Sequence, residues 1–84
     1  MEQIARTTKQ LAAFIRRTRR QQGLTQAQLG GKVKLRQATI SKLEAGEGEI
    51  LLQTFMDVLA ALNLELVIRP RTTASSADIE ELLS

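Results

Sequence analysis

A mainly α domain of four to five helices, with one β-strand at its C-terminal end, is the fold that this sequence predicts, and three observations predict it. Apolar residues recur at spacings of three and four in successive segments. Helix start and stop residues punctuate those segments, among them Gly23, Thr25 and Gly46. After the last segment the apolar period switches to two, in Leu64-Glu65-Leu66-Val67-Ile68-Arg69, until Pro70 removes the next ladder donor. A chain of 84 residues supports one hydrophobic core and not a second.

Residues 1–7 read as an N-terminal arm. From Thr8 to Gln22 a helix places Leu11, Phe14, Ile15 and, less strongly, Thr18 on one face, while Arg16, Arg17, Arg19 and Arg20 crowd the rest. Gly23 stops it. Thr25 followed by Gln28 is a capping box, opening a short helix from Gln26 to about Lys32 with Leu29 and Val33 inward. Gly30 and Gly31 fall inside that helix, where each costs roughly 0.5 to 1 kcal/mol relative to alanine. Close approach of another backbone, in a tight helix crossing, would explain them. A third helix runs from about Gln37 to Ala45, with Ile40 and Leu43 buried and Gly46 as its stop. Beyond the loop Glu47-Gly48-Glu49, a fourth spans roughly Leu51 to Leu62, with Leu52, Phe55, Leu59 and Leu62 recurring on one side, Val58 beside them and Asn63 closing it. The folded unit is residues 8–70, including strand 64–69. Residues 71–84 read as a flexible tail: RTTASSA has no apolar period, and the turn or two from Asp78 to Leu83 is too short to fold alone.

The composition excludes most enzyme classes. With no cysteine there is no disulfide or thiolate metal site, and with no histidine the commonest zinc ligand and general base are absent. No glycine-rich phosphate loop occurs, and Ser41 and Ser84 have no histidine to activate them. We therefore expect no catalytic residue, no metal and no cofactor. No apolar run approaches the roughly 18 residues of a membrane span, and MEQIARTTKQ lacks the apolar stretch of a signal peptide, so a soluble cytoplasmic protein with no membrane partner is expected. The charge is asymmetric. Residues 1–42 carry ten basic residues against Glu2 alone, whereas residues 43–84 carry Arg69 and Arg71 against eight acids. A polyanion-binding face on the N-terminal half is the implication.

Two short helices joined by a tight turn, the second exposing small polar residues, have the shape of a helix-turn-helix reader of DNA. The exposed side of the third helix would present Gln37, Ala38, Thr39, Ser41 and Lys42. Glutamine pairs bidentately with adenine, alanine and the threonine methyl pack on a thymine methyl, serine suits several bases, and lysine reaches guanine or phosphate. Without the preceding helix and the basic context, the same residues would merely coat a solvent face.

The run LTQAQLGGKVKLRQATISKLEAGEG resembles the lambda-repressor-like, Xre-type helix-turn-helix family over about residues 10 to 63. That resemblance implies a phosphate anchor at Gln26, major-groove contacts from Gln37, Ala38 and Lys42, and phosphate or flanking-base contacts from Arg36, Thr39 and Ser41. The base-reading set is then Gln37, Ala38, Thr39, Ser41 and Lys42, and the DNA-backbone set Thr25, Gln26, Lys32, Lys34 and Arg36. It further implies a structural ion pair between Arg19 and Glu44. Arg16, Arg17 and Arg20 have no such match and are either phosphate contacts or a solvated face. The chain departs from the family pattern at Lys34, where a glycine suited to positive φ is usual. It departs again at Glu49-Ile50-Leu51, which lacks the usual capping side chain.

A lone strand leaves unpaired backbone groups, so Leu64 to Arg69 needs a partner, and self-pairing across a twofold axis supplies one. An axis through Val67 sets Glu65 opposite Arg69 of the mate, a pair worth about 0.2 to 1 kcal/mol. A helix-turn-helix domain closed by LNLELVIRP and a short tail resembles the HipB-like antitoxins of HipA-type serine/threonine kinase toxins. The resemblance implies a homodimer that binds double-stranded palindromic operator DNA, represses its own operon and neutralises a HipA-like kinase toxin by contact. Ile79, Leu82 and Leu83 are then candidates for toxin docking. The alternative is a stand-alone Xre-family regulator without a toxin.

Overall fold

A computed structural model describes residues 2–71. Four helices form among them: α1 (Thr8–Gln21), α2 (Gln26–Val33), α3 (Gln37–Ala45) and α4 (Leu52–Ala61). The two earlier helices open on side-chain caps. Thr7 Oγ1 accepts from the Gln10 amide at 3.1 Å, starting α1. At α2 the capping box is complete, with Thr25 Oγ1 accepting from the Gln28 amide at 3.0 Å and Gln28 Oε1 accepting from the Thr25 amide at 2.8 Å. At α3 and α4 the capping positions, Arg36 and Leu51, supply no side-chain acceptor.

All four helices end alike. A residue in the left-handed region follows each one, namely Gly23, Lys34, Gly46 and Asn63, with φ between 57° and 74°. The next amide then reaches back into the last turn: Leu24 to the Arg19 carbonyl, Leu35 to Gly30, Glu47 to Lys42 and Leu64 to Leu59, at 2.8 to 3.1 Å. Lys34 therefore adopts the conformation for which the family usually supplies glycine, at φ 59° and ψ 40°, and the turn keeps its geometry at the expense of local strain.

One cluster forms the core. Ile15 of α1, Leu29 of α2, Ile40 of α3 and Phe55, Val58 and Leu59 of α4 meet with Leu62, flanked by Leu11, Leu24, Val33, Leu35 and Leu43. In this arrangement α3 packs on α1 and α2, and α4 packs on α2. Gln22 Nε2 donates to the Leu62 carbonyl at 2.7 Å, tying the end of α1 to the end of α4.

Three expectations need correction. Leu52 does not join the core: it is 72% exposed, because it shares a face with Phe55 but sits one turn ahead of it, past the end of the buried cluster. The glycines of α2 are not equivalent, and no crossing helix explains them. A Cβ on Gly30 would stand 2.6 Å from the Leu35 carbonyl oxygen, so the approaching backbone is that of the following turn, whereas a Cβ on Gly31 would meet nothing within 4 Å. Finally, residues 64–71 form no strand, and none occurs among the described residues. A ladder needs a second strand, and the single chain contributes none. The tail residues Ile79, Leu82 and Leu83 lie outside the described residues.

Candidate nucleic-acid interface

The turn between α2 and α3 starts from a close contact. With no side chain at Gly30, the chain after Lys34 folds back until the Leu35 amide bonds the Gly30 carbonyl at 2.8 Å, and Leu35 tucks toward the core. That closure aims α3. Ile40 is fully buried and Glu44 nearly so, one turn apart, which turns the opposite side of the helix to solvent. Gln37, Ala38, Thr39, Ser41 and Lys42 are all exposed. Lys32, Lys34 and Arg36 are exposed around the same turn, and the amides of Gln37 and Ala38, the first two of α3, have no intrahelical acceptor, whereas those of Thr39 and Ile40 reach the Arg36 carbonyl. A polar, exposed surface flanked by cations and by free backbone donors is the result.

A charged lock holds this surface in place. Arg19 Nε donates to Glu44 Oε2 at 2.6 Å and Arg19 Nη2 to Glu44 Oε1 at 2.9 Å, a bidentate pair whose side chains are 8% and 2% exposed. The remaining fork of the guanidinium, Nη1, donates to the Leu24 carbonyl at 2.7 Å. One arginine thus fastens α3 to α1 and to the turn that opens α2. The hydrogen bond to Glu44, ahead of the opposing effect of burial, holds Arg19 above its ordinary pKa, so the guanidinium stays charged.

Gln26 belongs to the same network. It is half-buried, and its Nε2 donates to Glu44 Oε1 at 3.2 Å, which leaves one amide hydrogen and the carbonyl oxygen free to face outward. Thr25, beside it, accepts with its hydroxyl from Gln28 and keeps its own proton to donate. Neither the Gln26–Glu44 bond nor the use of the Leu24 carbonyl carries a local sequence signal, since both join residues through the fold. The residues expected to form a dimer strand stand apart, following α4: Leu64 is half-buried, and Glu65, Leu66, Val67, Ile68 and Arg69 are exposed. Arg69 Nη1 lies 3.6 Å from Glu2 Oε2 in an open pair of little energetic weight. Among the described residues no group of three or more carboxylates gathers that could hold a metal ion, and no helix is long and apolar enough to cross a membrane.

A helix-turn-helix family model matches residues 15–68. The chain is 35% identical over 72 residues to antitoxin HipB of Escherichia coli strain K12, covering 86% of this chain and 82% of that protein. It is equally similar to antitoxin HipB of Escherichia coli O6:H1, of which it covers 77%. Among solved structures, a chain from a HipA–HipB–O2–O3 complex superposes with a TM-score of 0.77 at 32% identity, over 84% of this chain and all of that one. A chain from a HipB complex with an O4 20-mer superposes equally well, again with a TM-score of 0.77 at 32% identity.

Proposed function

The chain belongs to the helix-turn-helix family and is a relative of the HipB antitoxins, and from that premise we propose that it is a sequence-specific DNA-binding repressor. In this reading it acts as an antitoxin that represses its own operon and neutralises a HipA-like serine/threonine kinase toxin. The observation that carries the reading is the exposed row Gln37, Ala38, Ser41 and Lys42, held on α3 by the buried Arg19–Glu44 pair. Thr39 completes the base-reading side, and Thr25, Gln26, Lys32, Lys34 and Arg36 take the phosphates. The unit is a DNA-binding and dimerisation domain over residues 8–70, preceded by an arm of residues 1–7 and followed by a tail, 71–84, in which Ile79, Leu82 and Leu83 dock the toxin.

The functional form is a homodimer. Leu51, Leu52, Val67 and Ile68 are 61% to 89% exposed, more apolar surface than a solvated monomer gains from leaving uncovered. Pairing of residues 64–69 across a twofold axis through Val67 supplies the missing ladder and sets each Glu65 against the mate's Arg69. Two reading helices then address half-sites about one helical turn apart, and the operator is a near-palindrome.

Co-expression with the neighbouring gene, followed by co-purification and a shift of the upstream promoter DNA, tests the whole reading. Capture of a kinase-like partner together with operator binding is expected. Operator binding without a partner leaves a stand-alone regulator, and absence of both overturns the reading. Gln37→Ala should lose about 1 to 3 kcal/mol of discrimination at one base position, measured on operator variants. Equal loss on operator and random DNA would remove Gln37 from the reading set.

A further inference from the structure

Next to the reading helix lies a positively charged surface that the contacts above leave unused. Arg16, Arg17 and Arg20 of α1 border a shallow cleft whose remaining walls are Ala13, Gln21 and Glu44. None of the three arginines has an ion-pair partner among the described residues. Glu44 does not neutralise them, because both of its oxygens are engaged by Arg19. Arg17 is steadied by Phe14, whose ring centroid lies 5.7 Å from the guanidinium carbon. Like charges a helical turn apart, such as Arg16 and Arg20, work against the helix that carries them, and among the described residues no carboxylate pairs with them.

We infer that this cleft between α1 and α3 binds the sugar-phosphate backbone of DNA, extending each subunit's footprint past the groove read by α3. The inference rests on the DNA-binding reading above and adds a contact to it. Continuity favours this occupant. Glu44 forms part of the cleft and also accepts from Gln26 at the start of α2, and on α3 it lies one turn from Ser41 and two from Gln37. A DNA strand passing Gln26 therefore runs on to Arg16, Arg17 and Arg20. The contact reads no bases, since arginines on a phosphate backbone fix register and affinity and leave sequence choice to α3. An acidic segment of a protein partner is the competing occupant, and the test separates the two.

The test compares the full chain with the triple variant Arg16→Ala/Arg17→Ala/Arg20→Ala and with the corresponding triple lysine variant. Anisotropy titrations on an operator duplex and on a random duplex of equal length are run across a salt series, with thermal melts as the folding control. Each lost phosphate contact lowers the slope of log K against log salt by about 0.9, so one contact per subunit removes about 2 from a dimer. The alanine variant is expected to lose at least that much on both duplexes, and the lysine variant to keep the slope. A steep slope unchanged in the alanine variant overturns the inference while leaving the DNA-binding reading intact, and so does an unchanged slope joined to loss of partner capture. A flat slope in the unmodified protein overturns both. A second measurement needs no variant: the unmodified protein should lose the same slope when the operator is trimmed from its ends, and a slope that holds down to the bare half-sites overturns the inference.

Discussion

The two ends of this small domain are built on opposite terms. Around α1, α2 and α3 a small network of polar groups closes within the chain: Thr25 and Gln28 cap each other, Arg19 uses all three of its guanidinium nitrogens, and Glu44 accepts from two side chains. At α4 and beyond, the chain leaves its needs open. Leu51 offers no cap, Leu52 faces solvent, and residues 64–71 run without a ladder. The network of the first region closes in one copy, so α3 can present a preformed surface to DNA. The second leaves apolar side chains and backbone groups uncovered, which the proposed dimer would cover.

The sharpest way to break that contrast is to unpair the lock. Glu44→Ala strands a buried guanidinium and should cost about 3 to 5 kcal/mol, read as a lowered denaturation midpoint, while replacing both partners with apolar residues should recover much of it. Stability of the single variant within about 1 kcal/mol of the unmodified chain would show the pair to be dispensable. At the other end, Val67→Pro removes a ladder donor and should raise the dimer dissociation constant at least tenfold, about 1.4 kcal/mol, by sedimentation equilibrium, with helix content retained at concentrations that saturate the dimer. An unchanged constant would reject pairing through this segment. Within the complete region, Gly30→Ala forces a methyl against the Leu35 carbonyl and should destabilise by about 1 to 3 kcal/mol. Gly31→Ala, one residue on, opens into free space and should stabilise by about 0.5 to 1 kcal/mol. The opposite signs of these two neighbours in thermal melts are the check.

Local signals made the helices legible. The capping box at Thr25 and Gln28 and the stops at Gly23, Gly46 and Asn63 are written in adjacent residues, and α2, α3 and α4 fall within a residue of the bounds that periodicity predicts. Long-range links were not legible in the same way. Arg19 and Glu44 lie 25 positions apart, and only likeness to a family pointed to the two together. Nothing local announces the bond from Gln26 to Glu44 or the Leu24 carbonyl as an acceptor. Ala12 is buried at 3% exposure yet escapes an apolar count that weighs large side chains. Gly30 and Gly31 look identical in sequence because the difference between them is the position of a carbonyl five residues on. Leu52 misleads for the converse reason, since a periodic pattern does not say where the helix meets the core.

The hydrogen bond from Gln22 to the Leu62 carbonyl reaches across 40 positions of sequence. It pins the point where α4 ends to the helix that also holds α3, so the segment leaving Asn63 departs from a stationary origin. In a dimer joined through that segment, the gap between the two reading helices is a gauge length, measured out residue by residue at about 3.3 Å from Asn63 to the symmetry axis. Operator spacing is then written in the length of a peptide that touches no DNA. Shortening or lengthening that stretch retunes which palindromes fit, without altering a single base contact.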